Sequence, residues 1–139
     1  MSDGLRDDEE GSILLLTLGY VLLALAVLFV CVCATDLYIA QKRLDALADS
    51  AALAGADGFT LVVSGESVAA ELSDEGVHEQ AAALLAALPA DATLVDATSP
   101  DGVSAHVTLT AAWYPPLFSP FVPGGIQLDA SATSRTALR

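Results

Sequence analysis

The residue types that could do chemistry in this chain are few, and their spacing gives them nothing to do. His78 and His106 stand alone, with no cysteine or carboxylate at metal-ligand spacing around either. Each is therefore read as a solvated or hydrogen-bonded histidine rather than a ligand or a general base. Asp74-Glu75 and Asp45/Asp49 are paired acids only in the way solvated helix faces carry them. The spaced-acid loop that holds calcium is missing, as are a Gly-rich phosphate loop, GxSxG and HExxH. Cys31 and Cys33 lie within an uncharged apolar run. Two positions apart on a helix, they project roughly 200° from one another, which excludes an intrahelical disulfide. They do not form CxxC, and Val30 and Val32 stand where a lipoprotein signal needs a small residue. They read as small apolar packing residues, with a disulfide or lipid link to another chain left open. The expectation is a protein that is not an enzyme, with no catalytic residue, no metal, no cofactor and no small-molecule substrate.

Charge narrows the partners. Asp and Glu number 18 against 5 Lys and Arg, a formal net charge of −13. Lys42 is the only lysine, and the arginines are Arg6, Arg43, Arg135 and Arg139. No basic groove neutralises a phosphate backbone, so nucleic acid is excluded. Mean hydropathy is nonetheless +0.58, high for a soluble domain.

The excess apolarity points to one stretch, Ser12 to Gly58, around which the chain is organised. Ile13–Ala34 is uncharged over about 22 residues, roughly 33 Å as a helix, against a bilayer core of about 30 Å. It is long for a signal h-region and apolar all round, so it reads as a retained membrane anchor. The other reading is a signal cleaved near Ala34. Gly19 and Thr17 suit a membrane helix, where small residues mark close approach of a neighbour. In front of it, Met1–Gly11 carries five acids and Arg6 without apolar periodicity and is expected to be disordered. The expected division is a tail over 1–11, a transmembrane helix over 12–35 and a small extracytoplasmic domain over 36–139. The count of Lys and Arg on either side leans toward an outside N-terminus by a single residue and does not decide orientation.

After Asp36 the helix becomes amphipathic. Leu37, Ala40, Leu44, Leu47, Ala51 and Ala54 form a seam with 3-4-3-4-3 spacing, and Ala48, Ala52 and Ala56 form a second, smooth stripe. The expectation is that the seam holds the domain's own sheet while the stripe meets neighbouring subunits. Asp36, Arg43, Ala48, Asp49, Ala52 and Ala56 are then the candidate helix–helix interface, and Ala52→Glu would leave the monomer folded yet abolish co-purification. Gly55 and Gly58 bracket the end of the helix.

The remainder predicts a small α+β domain. Phe59–Ser64 is β-prone and is followed by a Gly65-Glu66 turn and Val68–Leu72, either a hairpin or the approach to a helix from Ser67. Ser73 is an N-cap with Asp74 and Glu75 in the first turn; Val77, Ala81, Leu84, Leu85 and Leu88 form one face, and Pro89 stops the helix. Strands are expected at Ala92–Ala97, Val103–Trp113 and Ile126–Thr136, with Pro100-Asp101-Gly102 as a turn. Val103, Ala105, Val107, Leu109 and Ala111 alternate with polar residues, as in a half-buried antiparallel strand. Between the last two strands, WYPPLFSPFVPGG has four prolines and can be neither helix nor central strand. Trp113, Tyr114, Phe118 and Phe121 suit a membrane surface or a partner. A loop folded over the core is the other reading.

The opening stretch also resembles a known family. Gly11-Ser12, the apolar run, Asp36-Leu37-Tyr38, Arg43-Leu44 and Ala48-Asp49-Ser50-Ala51-Ala52-Leu53-Ala54-Gly55-Ala56 are similar to the N-terminal segment of TadE/TadG-like proteins of Flp (Tad) pilus assembly, especially the short versions of high-GC Gram-positive bacteria. The resemblance covers about a third of the chain. It implies a bitopic, non-enzymatic component of a pilus or related secretion machine. The N-terminus would be cytoplasmic, the domain extracellular, and the plasma membrane crossed once. Partners would be membrane lipid and other pilus components or further copies of the chain. Some members resemble prepilins cut after a glycine, which by position is Gly11, leaving Ser12 as the new terminus. Filament-forming members carry a glutamate at the fifth mature position, where this chain has Leu16. An accessory subunit of an unrelated envelope complex, or a secreted acidic protein, are the alternative classes.

Overall fold

A computed structural model describes residues 3–137, with side chains from Glu9 onward. The chain divides into two compact units, Met1–Asp36 and Leu37–Arg139. A single helix, α1 (Asp3–Ala56), contributes to both.

In the first unit, α1 has no proline and no charge between Glu10 and Asp36, so nothing interrupts its hydrogen-bond ladder. Within the apolar run, Thr17 Oγ1 donates to the Ile13 carbonyl at 2.8 Å and is satisfied inside the helix. Asp3–Gly11 is already helical, where the sequence predicts a disordered tail. The physical reason is twofold. Acidic residues at a helix N-terminus complement its dipole, and extending an existing helix needs no new nucleus.

The second unit is a two-layer α+β sandwich. The remaining elements are β1 (Thr60–Ser64), β2 (Ser67–Glu71), α2 (Asp74–Ala87), β3 (Ala92–Thr98), β4 (Ser104–Trp113) and β5 (Ile126–Arg135), with a short 3-10 turn at Ser119–Phe121. β3, β4 and β5 form an antiparallel sheet with β4 in the centre; β1 and β2 form a separate hairpin. The hairpin is the outcome at Ser67–Leu72, where a helix was the other expectation.

Alternation along β4 decides which face is covered. Ala105, Val107 and Leu109 are fully buried. Their cross-strand partners Ala132 and Ala130 on β5, and Ala97 and Leu94 on β3, join the same core. Leu94 and Ala97 are an odd number of residues apart, yet both face inward, because the β3–β4 register shifts between Leu94 and Asp96. A bulge of this kind reverses the side-chain parity downstream of it.

The opposite sheet face is polar: His106 Nδ1 lies 2.9 Å from Thr133 Oγ1, and Thr110 Oγ1 donates to Gln127 Oε1 at 2.9 Å.

Alternation fails at the start of β4. Val103 is exposed and Ser104 is buried. The Asp101 carboxylate captures the Ser104 amide at 2.6 Å, the Val103 amide at 3.0 Å and the Ser104 hydroxyl at 2.8 Å. This Asx-type turn draws Ser104 inward and holds the Asp101 carboxyl down at about 2, the Ser104 amide contributing most and the Val103 amide next.

On the core face, α2 begins as expected: Ser73 Oγ accepts from the Gly76 amide at 3.1 Å. Val77 and Ala81 are fully buried, Leu84 and Leu85 are half-buried against the core, and Leu88 caps the C-terminus before Pro89. α1 and α2 approach each other closely. A Cβ at Gly55 would lie 2.9 Å from Val77 Cγ1, and one at Gly58, two residues past α1, would lie 2.7 Å from the Gly76 carbonyl oxygen. Only glycine permits backbones this close.

Candidate functional site

The candidate functional surface is the second half of α1 and what surrounds it. Leu44, Ala48, Ala51, Ala52 and Ala56 are all buried and belong to the same core cluster as Ala105, Val107 and Leu109. Seam and stripe are therefore not two surfaces. They merge into one face whose centre is Leu44, Ala48, Ala51 and Gly55, with Leu37, Ala40, Leu47 and Ala54 half-buried along its margin. This corrects the expectation for Ala48, Ala52 and Ala56. They are 0–2% exposed and touch the chain's own core, so they do not meet neighbouring subunits while the domain is folded. The reason is the close fit of two helices on three strands. Small side chains are what allow α1 to approach both the sheet and α2 at once.

The opposite side of this helix is the accessible one. Tyr38, Lys42, Ala46, Asp49 and Leu53 follow one another at intervals of four and three residues, flanked by Asp36, Ile39, Arg43 and Ser50, and all are exposed. Of the six candidate interface residues, Asp36, Arg43 and Asp49 thus lie on the exposed side and the three alanines do not. Lys42 Nζ lies 3.3 Å from Asp45 Oδ2 and 5.7 Å from the Tyr38 ring centroid. The Asp45 carboxyl is held below the usual range mainly by the Gln41 amide, which donates to it at 2.9 Å.

Gln41 is the residue that sequence reasoning missed. Its Nε2 also donates to the Asp129 carbonyl at 3.0 Å, tying α1 to β5. The available signal was a neutral amide at the edge of an apolar seam.

A cleft of about 370 Å³ opens where α1 passes the α2–β3 connection. It is lined by Ala40, Arg43, Leu44 and Leu47 on one side and by Pro89–Ala92 and Ala111–Ala112 on the other.

The aromatic loop separates into two kinds of residue. Trp113, at the end of β4, is only 9% exposed and belongs to the domain. Tyr114, Leu117, Phe118 and Phe121 are exposed. The Phe118 and Phe121 rings lie 5.9 Å apart at 54°. Trp113 is thus part of the folded domain, while the other three aromatic candidates and Leu117 stay on the surface.

Gly11 and Ser12 lie within α1, with nothing packed against Gly11. Cys31 is exposed and Cys33 half-exposed, both as thiols. Among the described residues, no group of three or more His, Cys, Asp or Glu side chains is placed to hold a metal ion. One described helix, Glu9–Ala56, is long and apolar enough to cross a membrane.

Residues 11–58 match the family model Tad, described as "Putative Flp pilus-assembly TadE/G-like". Over this segment the chain is similar to that family, which supports a pilus-assembly-related role. The matched residues end just beyond α1. The Ala48–Ala56 part of the TadE/G-like segment is the helix face that packs on β4 and α2, so this portion of the match is a packing surface in physical terms. No match was found among curated proteins or among solved structures.

Proposed function

We propose that the protein is a single-pass membrane component of a Tad/Flp-type pilus or related secretion machine. Its domain lies outside the cell, its N-terminus is cytoplasmic, and its task is contact rather than catalysis. The observation that carries this reading is the match of residues 11–58 to the TadE/G-like family, which spans the apolar run and the outer helix together. The physics of the first unit supports it. Between Ile13 and Val32, thirteen Ile, Leu and Val side chains stand 49–73% exposed on a bare helix. At about 1.5–3 kcal/mol for each such side chain fully buried, covering them is worth on the order of 20 kcal/mol, and lipid covers them all at once.

The face that meets other pilus components is the exposed side of α1, with Leu53 as its apolar anchor toward the C-terminal end and Arg43 and Asp49 supplying charge. A minor-pilin-like subunit and an assembly factor are both served by such a face. Leu16, in place of a glutamate that would compensate a buried terminal amine, favours the assembly factor and an uncut Gly11.

Two measurements on intact cells test the reading. Protease added outside should remove the domain, and affinity-tagged protein should co-purify pilus-assembly components. Leu53→Glu should abolish that co-purification while the variant stays in the membrane. A domain protected from external protease overturns the topology. Co-purification unchanged by Leu53→Glu overturns the proposed face.

A further inference from the structure

We infer that the β4–β5 loop is a second, peripheral membrane contact, in which Leu117, Phe118 and Phe121 enter the headgroup region of the bilayer that holds the apolar helix. The inference rests on the membrane anchoring proposed above and adds to it a surface of the folded domain. Its first ground is composition. From Ala112 to Leu128 there is no charged residue, in a chain whose net charge is −13. An acidic domain is repelled by an anionic lipid surface, so a neutral segment is where approach costs least.

The second ground is shape. Leu117 is 82% exposed and Phe121 78%, with Phe118 and Tyr114 about half-exposed. Leu117 is the one described non-glycine residue with positive φ, at 66°. That conformation is unfavourable for a branched side chain and is sustained by its surroundings. Those surroundings are stiff. Pro115, Pro116, Pro120 and Pro123 restrict the backbone. The Phe118 amide bonds to the Pro115 carbonyl at 3.3 Å, the Phe121 amide to the Phe118 carbonyl at 2.9 Å, and the Gly125 amide to the Val122 carbonyl at 3.1 Å. The loop therefore presents apolar side chains outward from a preformed frame instead of folding them onto the core. An apolar tip without charge fits lipid better than a protein surface, which would ask for a polar rim.

The third ground is position within the second unit. β4 runs antiparallel to the outer part of α1: Ala105 sits by Gly55, while Ala111 and Ala112 share a cleft with Ala40 and Arg43. Following β4 to Trp113 therefore leads back along α1 toward Leu37, the first residue of this unit. The loop caps that end of the domain, and the β3–β4 turn at Pro100 caps the other.

A fluorescence experiment on the full chain tests this. In a Cys31→Ala, Cys33→Ala background, Leu117→Cys and Pro100→Cys are each labelled with an environment-sensitive NBD probe and reconstituted in phosphatidylcholine vesicles. Flotation of the vesicles reports anchoring separately. The expected result is that both proteins float, and that only the Leu117 probe is blue-shifted and quenched by lipids carrying a nitroxide near the headgroup. Floating protein with both probes equally water-like overturns the loop contact and leaves the anchor standing. A blue shift at Leu117 without lipid quenching also overturns it, in favour of a protein partner. Protein that fails to float overturns the anchor and the loop contact together.

Discussion

Two adjacent residues on α1 give the sharpest test of the structure. Ala52 is 1% exposed and enclosed by the core; Leu53 is 59% exposed on the far side of the same helix. Replacing Ala52 by glutamate forces extra methylenes into a filled space, at about 1–3 kcal/mol. It also leaves a carboxyl group without a built partner, which is worth several kcal/mol more or a raised pKa. Together the two effects cost roughly 4–7 kcal/mol, against a total of about 5–15 kcal/mol for a domain of this size. Leu53→Glu, on the solvent side, should cost about 0.5 kcal/mol or less. For a domain of about 100 residues, 1 kcal/mol moves Tm by about 4–8 °C, so Ala52→Glu should lose at least about 15 °C or fail to fold, while Leu53→Glu should melt within a few degrees of the parent. Near-UV circular dichroism of detergent-solubilised full-length protein reads this through Trp113, which is only 9% exposed. Far-UV signal does not, because the apolar part of α1 stays helical. Equal melting of the two variants, or a larger loss for Leu53→Glu, would refute the assignment of the buried face.

Gly58→Ala places a Cβ 2.7 Å from the Gly76 carbonyl oxygen and should destabilise the domain by about 1–3 kcal/mol, measured by thermal melting. Gly19→Ala, with nothing within 4 Å, should leave the same melting temperature unchanged. Ser73→Ala removes the oxygen that caps the Gly76 amide and should cost about 1 kcal/mol. The Asp101 carboxyl has a folded-state pKa lowered to about 2. Its contribution is therefore fully present above the ordinary carboxylate pKa near 3.8 and is lost as pH falls through the interval from about 4 to about 2. Asp101→Asn should flatten the acid limb of the stability curve over that interval and leave its neutral-pH slope unchanged, as read from denaturant midpoints at successive pH values.

Much of the architecture was legible from local pattern because local physics settles it. The Ser73 cap, the Pro89 stop, the alternation of Ala105, Val107 and Leu109, and the proline-broken loop each depend on a few neighbouring residues. The β3 bulge was not legible. It depends on Leu94 and Ala97 both finding the same core across β4, a cross-strand condition absent from either strand alone. The helical form of the acidic turns at Asp3–Gly11 was not legible from composition, which measures the cost of starting a helix, whereas here an apolar helix already exists to be extended.

By itself the sequence determined that one apolar run is long enough to cross a bilayer, and that a helix of small residues follows it in a pattern similar to TadE/G-like proteins. Residue type and spacing suffice for such statements, since hydrophobic length and helical period are properties of the chain alone. What the alanine stripe touches was decided only by the tertiary structure. A smooth row of small residues is equally suited to a neighbouring subunit and to the chain's own sheet. Ala48, Ala52 and Ala56 went inward because β4 and α2 fold back to the same helix, leaving Leu53, Arg43 and Asp49 as the surface available to others.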